Sequence, residues 1–320
     1  MIDLNKINSL LGWPEKRKEI ETEIESVIGA VPEKRVEPQM KVTEEYETRG
    51  LTRKRVNLFV REDEMVSGWL FVPDGKDESP AILCCHGKTP HGKDEAGGLD
   101  GNHRLAFAQH YAERGYVTFA IDTITTGERV SFKRQPFDTE AFYKDHPNLS
   151  LAGKMLSDHM HAIDVFAEVK RVDATRIGVV GHGLGGFNAL LLAAFDDRVQ
   201  ACVASCGFTR FATDKKPGHW AGDESFTLIP KIAQMKPDAL TFDWEHILAL
   251  AAPTALQVIT SLSESVHANP KSCQKAVTQA SKVYKLLGAQ SALNHYTHHD
   301  GDEVTPETLE VADEWFERWL

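Results

Sequence analysis

Positive charge is scarce in this sequence, which has 36 Lys and Arg residues against 47 Asp and Glu residues among its 320. The formal net charge is −11 with the histidines counted as neutral. Nucleic acids and anionic membrane surfaces are bound through a cationic face, which so acidic a composition disfavours. We therefore expect neither of them as a partner and expect a small-molecule ligand instead. Self-association into a homo-oligomer stays open.

Long apolar runs are missing as well. Runs such as Ala189–Phe195 fall far below the roughly 20 residues that span a bilayer. The first residues contain no basic stretch followed by an apolar run, so we expect a cytoplasmic protein. Cysteine is also rare, and an odd number of cysteines, mostly in strand-like apolar runs, predicts buried reduced thiols. The five are Cys84, Cys85, Cys202, Cys206 and Cys273.

Strand-like and helix-like patterns alternate along most of the chain. Apolar runs such as Ala81–His86 and Arg176–His182 are typical of strands buried on both faces, and helical patterns come between such runs. This alternation predicts an α/β fold whose mainly parallel sheet has helices on both faces. We expect an N-terminal helical arm over residues 1–50 and one domain over residues 51–320. The alternation of strand and helix patterns stops over approximately residues 208–250, which predicts a cap-like excursion there.

One segment joins a strand, a glycine-rich turn and a helix without a spacer. It reads RIGVVGHGLGG over Arg176–Gly186. In that context the pattern G-x-S-x-G forms a nucleophile elbow, a strained turn that presents a serine hydroxyl at the edge of the sheet. Here the pattern runs from Gly181 to Gly185, and Gly183 stands where the serine is expected. Glycine has no side chain that could attack a substrate, so the sequence predicts an elbow without its nucleophile.

The order of these motifs resembles the α/β-hydrolase superfamily, in its dienelactone-hydrolase-like and acetyl-xylan-esterase-like branch. Ala81–Lys88 (AILCCHGK) is similar to the strand and His-Gly loop of the oxyanion hole. Gly115–Arg129 resembles the strand that is followed by a Gly-Glu-Arg loop, and Arg171–Gly207 resembles the elbow region. Ile247–Thr260 resembles the strand that precedes the acidic residue of the catalytic triad. The resemblance implies the α/β-hydrolase fold with an eight-stranded, mainly parallel sheet, and carboxylic-ester hydrolysis as the ancestral activity.

The resemblance also implies where the remaining catalytic positions lie, in the order Ser, acid, His. Glu264 falls at the acid position and Asp302 at the histidine position. An aspartate with an ordinary pKa of about 3.9 is ionised at neutral pH and is a poor general base. The oxyanion-hole positions implied are Gly87, Lys88 and Leu184. The expected triad therefore departs from the family twice, at Gly183 and at Asp302.

Further residues near these positions are candidates for the substrate pocket. They are His86, Asp122, Glu128, His182, Trp220 and His299. Each has a structural alternative: the histidines pack in the core or support a loop, the carboxylates brace a loop with Arg129, and the tryptophan holds the excursion on the core. For His182 we expect a side chain that points away from Gly183 into the scaffold.

Two groups of potential metal ligands are dense in the sequence, one within His298–Glu303 and one within His86–Asp94. Neither has a standard zinc spacing such as HExxH or paired CxxC, so we expect no metal and no other cofactor. Among the cysteines, Cys206 ends the predicted strand after the elbow helix and lies nearest to the catalytic edge. A nucleophilic role and a core thiol are its two interpretations.

Three functions remain open on these observations. The first is a carboxylic-ester hydrolase for acyl or acetyl esters whose serine-type hydrolysis is lost, because Gly183, Glu264 and Asp302 replace a working triad. The second is an enzyme that uses the oxyanion hole and carboxylates without a covalent intermediate, such as a lyase, an isomerase or a cyclase. The third is a non-catalytic protein that binds an acyl ligand in a hydrolase-like pocket.

Overall fold

The computed structural model describes residues 1–7, 9–30, 36–48, 50–75, 77–213, 226–236, 239–263 and 269–320. Within these residues the fold is one twisted sheet covered by helices. The strands are β1 Met40–Thr48, β2 Leu51–Arg61, β3 Glu64–Pro73, β4 Ser79–Cys85, β5 Val117–Ile121, β6 Val172–His182, β7 Val199–Ser205, β8 Ala255–Ser261 and β9 Leu293–His298.

The helices separate most of the parallel strands from one another. They are α1 Trp13–Ile28, α2 Lys93–Ala96, α3 Phe107–Ala112, α4 Glu140–Asp145, α5 Leu151–Ala167, α6 Leu184–Phe195, α7 Pro230–Gln234, α8 Trp244–Leu250, α9 Pro270–Leu286 and α10 Pro306–Trp319. Short 3-10 turns occur at Leu4–Lys6, Leu10–Gly12, His103–Leu105, Gly127–Arg129, Phe211–Thr213 and Gln290–Ala292. In the part of the chain that the structure describes, every helix is too short or too polar to span a bilayer.

The order of strands in the sheet is β1-β2-β3-β5-β4-β6-β7-β8-β9. The first three strands and β5 pair antiparallel, while β5, β4 and the strands from β6 to β9 pair in parallel. The central strands are apolar throughout because helices cover both of their faces. This confirms the α/β fold and the mainly parallel sheet. The carboxyl ends of β4, β6, β7 and β8 therefore meet at one edge.

The sheet has nine strands among the described residues, one more than expected. The additional strand is β1, which lies at the edge and within the segment predicted to be a helical arm. Nearly all its residues are exposed, so it carries no buried face and no alternation of apolar and polar residues. An edge strand of this kind is held by backbone hydrogen bonds to β2, which the side-chain pattern does not reveal.

Helix α1, which also belongs to the N-terminal arm, packs on the domain. Ile20 and Ile24 of α1 are fully buried, and α1 contacts α5 and α8. The end of α1 is tied to the start of α5, where the Ser150 backbone N–H and hydroxyl donate to the Ile28 carbonyl at 3.0 and 2.7 Å. The arm is therefore part of the same hydrophobic core as the sheet.

The excursion over residues 208–250 contains α7 and α8 as far as it is described. Trp244 is fully buried and stacks on Phe208, with ring centroids 4.7 Å apart. It also makes an edge contact with Phe187 of the elbow helix at 5.4 Å. Trp244 therefore anchors the excursion in the core and does not line a pocket.

We predict that Ile24→Ala lowers the free energy of unfolding by about 2–5 kcal/mol, because it leaves a cavity beneath α1. Leu11→Ala is the matched control, since Leu11 is 95% exposed and its truncation should change stability by less than about 0.5 kcal/mol. Urea unfolding measures both. Equal stabilities of the two variants would contradict the packing of the arm on the domain.

Candidate active site

The elbow lies between β6 and α6 and consists of one residue. Gly183 has φ +55° and ψ −120°, and the helix begins at Leu184. The Gly183 N–H donates to the Ser205 carbonyl at 2.9 Å, and its own carbonyl accepts from the Phe187 N–H at 3.0 Å. The turn is thus fixed on both sides, in a conformation that L-residues rarely adopt.

The glycines on either side are required by close backbone contacts. A Cβ on Gly185 would lie 2.1 Å from the Cys85 carbonyl oxygen, and one on Gly181 would lie 2.2 Å from the Gly185 carbonyl carbon. A Cβ on Gly183, by contrast, would meet nothing within 4 Å among the described residues other than its two chain neighbours. The missing side chain of Gly183 therefore leaves open space where the fold places a nucleophile.

His182, the last residue of β6, connects the elbow to a distant loop. Its Nδ1 lies 3.0 Å from the Ser205 hydroxyl, and its Nε2 lies 3.1 Å from Asp302 Oδ1. The imidazole is nearly buried, whereas the Asp302 side chain is 36% exposed. His182 is a packed residue, as expected, but it does not simply point into the scaffold, because its outer nitrogen meets Asp302. The loop between β9 and α10 thus brings Asp302 to the residue before Gly183.

Cys206 completes this cluster. One ligand atom each from His182, Cys206 and Asp302 lies within 4.8 Å of the others. Cys206 follows β7, is 1% exposed, and has φ +49°. Its N–H donates to the Ile259 carbonyl at 2.8 Å, which holds the unusual backbone in place. A thiol, an imidazole and a carboxylate therefore converge beside the elbow.

The oxyanion-hole positions lie at the same edge of the sheet. Gly87 is buried, and a Cβ there would lie 3.4 Å from the His182 carbonyl oxygen. Lys88 is exposed and its ammonium group lies 4.7 Å from the Phe226 ring centroid. Leu184 is the first residue of α6, where backbone N–H groups have no partner inside the helix. The positive end of the helix dipole adds to their attraction for an oxyanion.

Comparison with known proteins places this arrangement in a family. The family model for dienelactone hydrolases matches residues 67–224, which include the elbow and the oxyanion loop. Over these residues, about half of the chain, the sequence matches the dienelactone hydrolase family. This confirms the family predicted from the motifs.

Individual relatives agree with that match. The hydrolase-type protein YtaP of Bacillus subtilis is 29% identical over 261 residues, which cover 78% of this chain and 82% of YtaP. A promiscuous CE15 esterase from a marine bacterial metagenome has a TM-score of 0.78 at 18% identity, with 98% and 94% of the two chains covered. A glucuronoyl esterase from Solibacter usitatus has a TM-score of 0.75 at 18% identity over 97% and 94%. The two structural likenesses show the shared fold.

His86 of the dienelactone-hydrolase-like His-Gly loop is held as a neutral imidazole. Its Nε2 accepts from the Thr123 backbone N–H at 3.1 Å, so the proton is on Nδ1, which donates to the Gly87 carbonyl at 2.8 Å. Burial lowers the pKa of His86 and further favours the neutral form. Both nitrogens are thus occupied by the loop that they support, and the structure shows no route by which His86 would take a proton from a substrate.

Asp122 and Glu128 are joined by a buried lysine. Lys93 Nζ lies 2.9 Å from Asp122 Oδ2 and 2.6 Å from Glu128 Oε1, and Asp122 also accepts from the Lys93 and Glu128 backbone N–H groups. Burial would lower the pKa of Lys93, but the two carboxylates raise it above its ordinary value. Arg129, the partner expected from the sequence, donates to Asp158 at 2.8 Å and to the Asp122 carbonyl oxygen at 3.2 Å. These contacts favour a brace for the loop.

Several predicted residues do not add to the cluster. Glu264 and Trp220 lie outside the described residues. His299 is exposed, and His298 is buried with its Nδ1 accepting from the Asp300 N–H at 3.3 Å. Among the described residues, neither dense group of potential ligands from the sequence brings three donor atoms together.

Cys206 takes a larger part in this cluster than its place in the sequence predicted. Ser205 follows the apolar run of β7 and is paired with His182 across the sheet, so Cys206 had to emerge at the elbow. The approach of Cys206 to His182 depends on the positive φ of Cys206, and the sequence does not predict a positive φ at a cysteine.

We predict that Gly183→Ala costs about 1–3 kcal/mol of stability, since only backbone strain opposes the methyl group. Gly185→Ala is the matched variant and should cost more, because its methyl group collides with backbone. Urea unfolding compares the two. If Gly183→Ala is the more destabilising substitution, the space above Gly183 is not open.

We predict that Lys93→Met lowers stability by about 3–5 kcal/mol, because it leaves the fully buried Asp122 carboxylate without its cation. Lys16→Met is the control, since Lys16 pairs with Glu19 on the surface and should contribute less than about 1 kcal/mol. Unchanged stability of Lys93→Met, together with altered ester binding, would show that this group serves the substrate.

Proposed function

We propose that this chain hydrolyses a small acyl or acetyl ester by direct attack of water, without a covalent acyl-enzyme. The attacking water would take the place that the serine hydroxyl has in the family, above Gly183. The reaction is ester hydrolysis, as in the family. It would proceed without a covalent intermediate, because Gly183 and Asp302 replace the serine and the histidine of the family's triad.

The absence of a side chain at residue 183 excludes attack from the elbow itself. The space that a Cβ would enter is open, whereas the flanking glycines are tightly enclosed. A water molecule needs polar partners to be held in place, and we assign this role to His182, the residue before Gly183, and to its partner Asp302. The elbow therefore offers both room and orientation for water.

The proposed step balances as an ordinary hydrolysis. The water oxygen forms a bond to the ester carbonyl carbon, and its proton passes to the His182–Asp302 pair. The carbonyl oxygen takes up the negative charge and accepts from N–H groups at Leu184 and the Gly87–Lys88 loop. The carbon–oxygen bond to the leaving group then breaks, and the departing alkoxide takes back the proton, giving a carboxylic acid and an alcohol.

The observation that carries this proposal is the 3.1 Å contact between His182 Nε2 and Asp302 Oδ1 beside the open position at Gly183. A carboxylate holds an imidazole in orientation and stabilises its protonated form. The Asp302 side chain is 36% exposed, so a ligand can reach it from solvent. The esterases of the same fold support the choice of an ester as substrate.

We predict that Asp302→Asn lowers kcat for a small acyl ester by about 10²–10⁴-fold, as expected when proton transfer is impaired. Asp300→Asn is the matched control, because Asp300 is an exposed carboxylate on the same loop and should retain wild-type kcat. Steady-state kinetics with acetyl, lactone and methyl esters makes the comparison. Binding of these esters without turnover by the wild-type chain would contradict the proposal.

Intact-mass spectrometry during turnover separates the proposed route from covalent catalysis. The wild-type chain should show no acyl adduct and no initial burst of the leaving group. An adduct on Cys206 or any other side chain would overturn direct attack by water.

A further inference from the structure

We propose that His182, Cys206 and Asp302 form a binding site for one divalent metal ion of the zinc type. Their three donor atoms come from the end of β6, the residue after β7 and the loop before α10, and they lie within 4.8 Å of one another. This site is built by the fold from distant segments and carries none of the spacings by which zinc sites are recognised in a sequence.

The donor set fits zinc. Thiolate sulfur, imidazole nitrogen and carboxylate oxygen bind this ion at about 2.0–2.3 Å, and catalytic sites use three protein ligands with the fourth position left for water. Donors within 4.8 Å of one another can reach these distances by small movements. Hard ions such as magnesium prefer oxygen ligands throughout, so the thiol selects against them.

A second contact orients the imidazole for this role. The Ser205 hydroxyl lies 3.0 Å from His182 Nδ1, on the opposite side of the ring from Asp302. A histidine that binds a metal through one nitrogen almost always has a hydrogen-bond partner on the other, which fixes the ring and its tautomer. With Nδ1–H donating to Ser205, the Nε2 lone pair points to the cluster.

The backbone of Cys206 gives an independent indication. A positive φ at a residue other than glycine is uncommon and is found where surrounding structure enforces it, often at functional sites. Here the strained residue places a thiol next to an imidazole and a carboxylate at the catalytic edge of the sheet. The other cysteines that lie within strands are enclosed there, and burial raises the pKa of Cys84, Cys85 and Cys202.

The ion would supply an activated water as the nucleophile, since Gly183 has no side chain that could attack. A zinc ion lowers the pKa of a bound water to about 7, which makes hydroxide available at neutral pH without a serine or a free histidine base. In chemistry this inference rests on the proposed function, since the hydroxide would be the attacking water. With His182 and Asp302 bound to the ion, the proton of that water would pass to solvent and not to the pair. The binding of the ion itself does not depend on that function.

The test uses the full-length chain, stripped with a chelator and titrated with zinc by calorimetry and with cobalt by absorption spectroscopy. We expect one equivalent of zinc to bind, with a rise in thermal stability on binding. Cobalt should give a thiolate charge-transfer band. Cys206→Ser should abolish the band, and Asp302→Asn, a part-exposed position that should fold normally, should weaken zinc binding at least tenfold.

Matched controls are Cys202→Ser, a buried thiol within β7, and Asp300→Asn, both of which should bind like the wild type. Cobalt binding without a thiolate band, or zinc affinity unchanged in Asp302→Asn, would overturn the site. Ester hydrolysis that persists in the chelator, with no zinc bound, would overturn the role of the ion in the reaction and leave the proposed function standing. Zinc binding by the three residues without ester turnover would support the metal site and overturn the proposed function.

Discussion

The close approach of three backbone segments at the elbow is the constraint on which the site depends. Gly185 lets the elbow helix contact the end of β4, and Gly181 lets the helix fold back on β6. This packing forces the single residue between strand and helix into a positive φ. The same geometry aligns the ends of β4, β6 and β7, so that His182, Ser205 and the His-Gly loop share one edge of the sheet.

Once that edge is formed, a glycine at residue 183 does not disturb it. Among the described residues, apart from the two chain neighbours of Gly183, nothing lies within 4 Å of a Cβ placed there. The brace of Lys93, Asp122 and Glu128 and the neutral His86 hold the neighbouring loops through contacts that do not involve residue 183. A family fold can therefore keep its oxyanion loop and helix N-terminus while the chemistry at its centre changes.

The fold could be predicted from the sequence wherever a short stretch of side chains carries a clear pattern. Buried strands such as β4 and β6 are continuous apolar runs, and the elbow glycines are spaced as the turn requires. The exposed strand β1 was not predictable, because nothing in its side chains distinguishes it from a polar segment. In the site, Gly183 and Asp302 could be located by their order along the chain. The contact of Asp302 with His182 spans 120 positions, and the placement of Cys206 follows from a backbone angle, so neither has a local signature.

The central claim is that an imidazole, a thiol and a carboxylate meet beside an elbow that has no nucleophile. A crystal structure of the chain grown with zinc, with diffraction recorded at the zinc absorption edge, tests this most directly. We expect one anomalous peak bonded to His182 Nε2, Cys206 Sγ and an Asp302 oxygen, with a water molecule on the side of Gly183. A structure in which Asp302 lies away from His182, with another histidine or a serine in its place, would contradict it.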